Sequence, residues 1–499
     1  MSDTGTPGWA RRVADSLGGG PHVIVSGIST SGNIHVGNLR EVLVAEAVAN
    51  ALKERGEEVR FIFHADTIDP LRKIAPSVPE EFREYIGHSL SRVPDPEGCH
   101  ASYAEHFLTP FEEALAAMEM DVEVLRSHEL YESGFYTDVT REAIGHTDEL
   151  REIMGEVTGR EMAESWSPYL PRAASGDLTR NRVIEHLPEE SRVIFVDREG
   201  YEGVADYSKG EGKLGWRVEL AARWKALNVT FEPFGKDHTS HGGSTDTADR
   251  MAREVFHYPV PGRFEYEWIG LKGKGAMSSS RGIVLLPKDL LKIMPPDAAR
   301  RMVLGRDPSR AWDLDLEGGF PRFMDEYRAS VEEKPVPFNH LVTVAQTVGG
   351  DVGAAAGMLR RGGYEEAAQD PAKLARDLAR ARAWSEEWAP GSLRLRVLEE
   401  AEAREAASEL DDEQRRYLAA VAGKLSLDLD GEKVQDLLYS TAVERGLKPK
   451  RAFAAVYTIL LGKKSGPRAG PFVAGLPIDV VRERFSSVME DTETVREGR

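Results

Sequence analysis

The stretch His22-Val23-Ile24-Val25-Ser26-Gly27-Ile28-Ser29-Thr30-Ser31-Gly32-Asn33-Ile34-His35-Val36-Gly37-Asn38 decides the fold. An apolar run, His22 to Ser26, empties into a loop of glycines and hydroxyls, and from Val36 to Arg55 apolar residues recur at helical spacing at Leu39, Val42, Leu43, Ala47 and Leu52. Gly56 stops that helix. Val59 to His64, rich in Val, Ile and Phe, then reads as a buried strand. The unit is β-α-β, and its crossover is expected to be right-handed.

Later segments repeat the pattern. Thr230 to Gly235 reads as a strand, Ser244 to Phe256 as a helix and Phe264 to Leu271 as another strand. The expected fold class is α/β, a doubly wound parallel sheet of the Rossmann type with ligands at the carboxyl ends of its strands. Residues 88–215 mix a helix, Ser102 to Met118, with a Gly-rich polar region, Ser208 to Gly215, and read as an insertion into the sheet domain. Residues 283–324 read as a linking segment. From 325 the pattern is helical, with Ala, Leu, Arg and Glu dominating Pro371 to Val421, so a domain of residues 1–324 and an all-α domain of residues 325–499 are expected.

The size agrees, because 499 residues exceed what one hydrophobic core organises. No apolar run is long enough to span a bilayer, and the first residues lack the blocks of a signal peptide, so a cytoplasmic protein with no membrane contact is expected. Cys99 is the single cysteine, which excludes an internal disulfide and a zinc site of several thiolates; no metal centre, and no zinc, is expected. A net charge of −19 repels phosphates as a whole. Locally, Arg445, Lys448, Lys450, Arg451, Lys463, Lys464 and Arg468 follow one another with no intervening Asp or Glu, a candidate basic face for a nucleic acid or else an ordinary solvated helix pair.

The chemistry begins at His35-Val36-Gly37-Asn38, where a loop enters a helix. Helix N-termini present unpaired N–H groups to anions. Gly37 lets a flat ring approach the backbone, His35 can donate to a phosphate oxygen as charge develops, and Asn38 can add a neutral donor. Far downstream comes Gly273-Lys274-Gly275-Ala276-Met277-Ser278-Ser279-Ser280-Arg281-Gly282, a glycine-flanked loop with three hydroxyls and the cations Lys272, Lys274 and Arg281, suited to wrapping a triphosphate. Glu41 lies one turn beyond Asn38 on the same helix face and can point into the same site. It can equally sit there for the helix dipole, worth about 0.3–1 kcal/mol. Asp66 ends the second strand facing the same crevice, Asp237 and His238 follow a strand after Gly235, and Asp69 before Pro70 reads as a helix cap.

The two loops together resemble the paired signature motifs of class I aminoacyl-tRNA synthetases, and further blocks narrow the resemblance to class I lysyl-tRNA synthetase. These are Asp66 to Lys73 (DTIDPLRK), Pro94 to Phe107 (PDPEGCHASYAEHF), Gly235 to His238, Tyr266-Glu267-Trp268, Asn339 to Gly349 (NHLVTVAQTVG) and Leu460 to Ala474 (LLGKKSGPRAGPFVA). The resemblance implies ATP-dependent ligation of lysine to tRNA through a lysyl-adenylate, with Mg²⁺ on the triphosphate, a monomer, and an anticodon-binding role for the helical domain. It implies ATP contacts at His35, Gly37, Asn38, Gly235, Asp237, Met277 and Ser278, catalytic roles for His35, Asn38, Lys274, Met277, Ser278, Ser279 and Ser280, and lysine contacts at Gly27, Ser29, Glu41, Asp66, Trp216, His238 and Tyr266.

The chain departs from that pattern at several positions. Ala276 stands where many class I synthetases have lysine, so the stabilising cation falls to Lys272, Lys274, Arg281 or magnesium. Ser29 stands where threonine is familiar and Leu220 where tryptophan is expected; the insertion lacks the cysteines with which some members bind zinc. Alternatives are a class I synthetase for arginine or glutamate, a small-molecule nucleotidyltransferase, and a synthetase-like tRNA-binding protein without aminoacylation activity.

Overall fold

A computed structural model describes residues 6–278, 282–348, 350–391, 393–426 and 429–489. The chain forms two compact units, residues 1–291 with 295–314 and residues 292–294 with 315–499.

The first unit is built on five strands: β1 (His22–Ser29), β2 (Val59–Asp66), β3 (Glu123–Arg126), β4 (Phe231–Gly235) and β5 (Gly262–Tyr266). They lie in the order β5-β4-β1-β2-β3, every pair parallel. β1 is central, which explains its Val and Ile content, since both faces are covered. Helix α1 (Val36–Glu54) is apolar nearly all round, with Leu39, Val42, Leu43, Val44, Val48 and Leu52 buried, as a helix sunk in the core requires. It opens where Asn38 Oδ1 accepts from His35 N at 3.1 Å and closes at Gly56, whose φ of +80° is left-handed.

Two sequence expectations need correction here. Helix α2 (Tyr103–Ala117) leads into β3, which pairs with β2, so residues 103–126 belong to the sheet and the insertion leaves later than residue 88. β3 has only four residues, too few for a periodic pattern. The insertion proper carries the antiparallel strands Arg182–Leu187, Arg192–Val196 and Glu202–Asp206, and a ribbon of Tyr169–Pro171 with Gly212–Leu214. The run Phe264 to Leu271 is two strands rather than one. After β5 the chain leaves the main sheet, and β6 (Ile269–Leu271) joins β7 (Gly275–Ala276) and β8 (Trp312–Leu314) in a small second sheet. Buried Arg40 holds the break, donating to Glu267 O at 2.5 Å and Arg310 O at 3.3 Å. An apolar run cannot show a change of sheet.

The second unit is helical throughout its described residues. Apart from residues 292–294, its run starts at Asp315, because β8 ties the chain to the first unit up to Leu314. Its basic run is partly neutralised by acids from elsewhere in the sequence: Arg451 pairs with Asp411 and with Glu413 at 2.9 Å, and Arg468 pairs with Glu432 at 2.9 Å. Among the described residues no helix is long and apolar enough to cross a membrane.

Candidate active site

The strand order reverses between β1 and β4, and at their carboxyl ends lies a cavity of about 420 Å³. Brought together in its wall are Gly27, Ser29, His35, Gly37, Asn38 and Glu41 from the first β-α unit, Gly235, Asp237 and His238 from β4 onward, Tyr266 from β5, and Met277 and Ser278 from the downstream loop. The two distant loops therefore meet. A Cβ built on Gly37 would make an ordinary contact of 3.8 Å with Met277 Cε but stand 2.9 Å from the His35 ring, so it is that ring's position that calls for glycine. Val36 N donates to Leu285 O at 2.8 Å, and Ser278 and Ile283 exchange backbone hydrogen bonds of 2.8 and 3.2 Å. Ser279, Ser280 and Arg281 lie outside the described residues.

One end of the cavity offers neutral donors. His35 is buried, its Nδ1 has no hydrogen-bond partner among the described residues, and burial lowers its pKa to about 4. It is a neutral imidazole at physiological pH. Asn38 commits its carbonyl to the helix cap, so its amide NH₂ is what faces a ligand. Buried Ser29 Oγ likewise lacks a partner.

The other end offers a carboxylate. Glu41 accepts from Gly27 N at 3.0 Å through Oε1 and from the Tyr266 hydroxyl at 2.5 Å through Oε2. Burial raises its pKa to about 7 against those two donors, a position that an added cation would reverse. Gly27 is the only residue type that fits: a Cβ there would stand 2.8 Å from Nη1 of Arg223. That guanidinium is itself buried, bonded to Glu232 and lying 3.2 Å from His64 Nδ1. Sequence reading missed Arg223, which sits in the WRVELAARW stretch with no motif of its own.

Three expected site residues do not line the cavity. Asp66 is turned away to Lys213, a buried ammonium 3.1 Å from Asp66, 3.3 Å from Asp69 and 2.9 Å from Glu219. Asp69 is thus an ion-pair member; the chain after it forms an isolated bridge, Pro70 with Ser89, and no helix begins there. Trp216 packs edge-on to His238, ring centroids 6.2 Å apart, with Arg223 Cζ 5.7 Å from its ring centroid. Lys274 sits in the exposed turn between β6 and β7. His238 bonds Ser244 Oγ at 2.8 Å through Nδ1, which leaves Nε2 toward Asp237 at 3.7 Å. Ser31, Asn33 and the half-exposed Trp268, which lie within the quoted sequence stretches but were assigned no role there, also stand in the cavity wall.

A second cluster lies in the loop before α2 and in its first turn. Asp95, Cys99, His100 and His106 bring one ligand atom each to within 4.8 Å of one another. His106 Nδ1 is 3.0 Å and His100 Nδ1 3.3 Å from Asp95, and Cys99 Sγ is 2.9 Å and 3.5 Å from the two rings. Aspartate, cysteine and histidine are zinc-binding donor types, and ligands around a tetrahedral ion stand about 3.3–3.7 Å apart for metal–ligand bonds of about 2.0–2.3 Å, so small side-chain shifts would let the set hold such an ion. The expectation of no metal rested on counting thiolates, and this donor set has only one. The spacing Asp-x3-Cys-His-x5-His was visible. His106 lies in the first turn of α2, and Tyr103 of that turn donates from its hydroxyl to Ser31 O at 3.1 Å in the cavity wall.

The family described as "tRNA synthetases class I (K)" matches residues 8–343. The chain is similar to a lysine–tRNA ligase of Archaeoglobus fulgidus, 39% identical over 96% of this chain and 100% of that one. It is also similar to the lysine–tRNA ligases of Methanosarcina barkeri, 35% identical over 96% and 97% of the two chains, and of Methanocaldococcus jannaschii, 35% over 96% and 99%.

Proposed function

The chain belongs to the class I lysine tRNA synthetases, and from that premise we propose how its cavity ligates lysine to tRNA. The reaction is ATP-dependent and passes through lysyl-adenylate. The observation that carries the assignment of roles is the meeting of Gly37 and Met277 across one cavity that also holds Glu41.

In this reading ATP lies between the loop of α1 and the loop of Met277 and Ser278. A lysine carboxylate oxygen attacks the α-phosphorus, pyrophosphate leaves, and the 2′-hydroxyl of the tRNA's terminal adenosine then attacks the acyl carbon and releases AMP. No protein nucleophile takes part. Neutral His35 and the Asn38 amide donate to the α-phosphate oxygens, stabilising charge that grows in the transition state. Bound with the triphosphate, Mg²⁺ would supply positive charge to the leaving pyrophosphate, and Lys274, in the exposed turn between β6 and β7 rather than in the cavity wall, would add the cation that Ala276 lacks. The substrate's ε-ammonium lies against Glu41, whose carboxylate is already oriented by Gly27 and Tyr266. An ammonium there restores the charge to Glu41 that burial disfavours, so the pocket favours a cationic side chain over a neutral isostere. Asp237 offers acceptors to ribose hydroxyls, and Ser29 contacts the α-amino end.

The helical unit serves as the anticodon-binding domain, the protein acts as a cytoplasmic monomer, and Asp95, Cys99, His100 and His106 hold one structural divalent ion. The test is ATP–pyrophosphate exchange with each of the twenty amino acids, with and without total tRNA. Exchange that depends on lysine alone is expected. Exchange driven by arginine or glutamate, or tRNA binding with no exchange under either condition, would overturn the reading.

A further inference from the structure

Arg223 is buried and takes no part in the chemistry proposed above, yet it touches residues in or beside two walls of the adenylation cavity. It sits on the helix Trp216–Leu227, two turns after Trp216 and on the same face. Its Cζ lies 5.7 Å from the centroid of the Trp216 ring, and that ring packs edge-on to His238 of the cavity wall. Its Nη1 stands against Gly27, where a Cβ would come within 2.8 Å of it, and the Gly27 N–H is the donor that holds Glu41 Oε1 at 3.0 Å. One guanidinium thus backs both the strand that orients Glu41 and the ring beside His238.

The guanidinium is held in turn. Nη1 donates to His64 Nδ1 at 3.2 Å, Nη2 donates to Glu232, and the second oxygen of Glu232 accepts from Trp224 Nε1 at 2.7 Å. His64 is neutral, because burial foremost and the neighbouring Arg223 lower its pKa to about 3. A buried ion pair is weak evidence for stability, since apolar residues of similar volume often serve as well. What they would not supply is a fixed, charged backing for a pocket whose ligand group is a carboxylate.

The groups facing Glu41 are few. Gly27 N on β1 and Tyr266 on β5 donate to it, while buried Arg223 and, on β4, Glu232 act on it through space in opposite senses. His64 on β2 is neutral, Arg40 on α1 is turned to Glu267 O, and Asp237, His238 and Glu267 line the same cavity.

We propose that Arg223, locked by Glu232, is a positioning residue for lysine recognition: it holds in place the Gly27 N–H that orients the Glu41 carboxylate and, through Trp216, the His238 wall of the same pocket. The inference rests on the lysine-ligase reading and adds to it the group that fixes the carboxylate on which specificity depends.

The experiment is ATP–pyrophosphate exchange by the full chain between pH 6 and 9, with wild type, Arg223→Met, Arg223→Lys and Glu232→Gln, each checked for cooperative urea unfolding. In Arg223→Met the KM for lysine is expected to rise about tenfold while the KM for ATP stays within about twofold of wild type, the effect of one misplaced hydrogen bond. The pH at which lysine binding strengthens should also move up, since Glu41 then faces Glu232 without the cation. Glu232→Gln removes the anion and leaves the cation, so the same transition should move down. Arg223→Lys keeps the charge and should hold the transition near its wild-type pH, yet retain part of the rise in KM because an ammonium lacks the planar fork. Equal rises in KM for lysine and ATP, or transitions that move together in Arg223→Met and Glu232→Gln, overturn the proposal. Should Arg223→Met fail to fold, Glu232→Gln decides alone: a downward shift supports the role and an unmoved transition sinks it. A wild type without lysine-dependent exchange defeats the ligase reading itself, whereas lysine-dependent exchange that these variants leave untouched defeats only the role of Arg223.

Discussion

His35 is a residue whose chemistry depends on being left incomplete. A buried imidazole nitrogen without a partner costs stability, on the order of 1–3 kcal/mol, and is tolerated where a ligand supplies the partner. His35→Ala is therefore expected to lower kcat for lysine-dependent pyrophosphate exchange about 100-fold, the usual loss for one transition-state donor, while leaving stability to urea unchanged or slightly raised. Unchanged exchange would remove His35 from the mechanism.

Glu41 supplies a pH prediction of definite sign. Its carboxyl is neutral below about pH 7 in the free protein, and only the ionised form pairs with an ammonium, so lysine binding strengthens as pH rises through 7. KM for lysine should fall about tenfold between pH 6 and 8. His35, neutral at any pH well above 4, contributes nothing to that limb. Glu41→Gln should raise KM for lysine far more than KM for ATP and flatten the profile; a profile that survives the substitution assigns the titration elsewhere. The helix position of Glu41 was legible from spacing alone. Its bonds to Gly27 and Tyr266 were not, because they join residues that only the folded sheet brings together.

At the scale of elements, strands and helices with strong periodicity could be read directly: β1, α1, β2 and β4 lie within a few residues of where their apolar patterns place them. Short or interrupted elements could not. Four-residue β3 carries no period, and the change of sheet after Tyr266 is made by Arg40, more than 200 residues earlier in the chain. Asp66 failed for a similar reason. A carboxylate at a strand's end reads as a ligand group, but Lys213 of the insertion comes in to neutralise it, and nothing near Asp66 announces that partner. Lys213 is fully buried among three carboxylates, whose combined pull overcomes burial and holds its pKa above the ordinary value. Lys213→Met leaves those acids buried without a cation and should cost about 3–5 kcal/mol in urea unfolding. A loss below about 1 kcal/mol would show that the acids simply take up protons.

The loop and first turn of α2 yield a metal prediction. Purified protein should carry one zinc per chain by elemental analysis, lost on prolonged chelation and absent from a Cys99→Ala, His106→Ala double variant. Since Tyr103 of the same turn holds Ser31 at the cavity's rim, the metal-free protein should show a raised KM for ATP or lysine as well. Metal-free protein as isolated, with unaltered kinetics, would contradict both.

At the scale of the whole molecule, the chain divides into a sheet unit, whose cavity the proposed function gives to the small substrates, and a helical unit with a cavity of its own. Net charge gave poor guidance at this scale. The value of −19 describes the whole surface, and the basic run from Arg445 to Arg468, which suggested a local exception, is partly quenched by Asp411, Glu413 and Glu432. The decisive measurement is a crystal structure of the protein with a non-hydrolysable lysyl-adenylate analogue. Its adenosine phosphate should lie between Gly37 and Met277 with an oxygen within hydrogen-bonding distance of His35, and its ε-ammonium should contact Glu41. An analogue bound outside this cavity, or one whose ammonium points away from Glu41, would contradict the account.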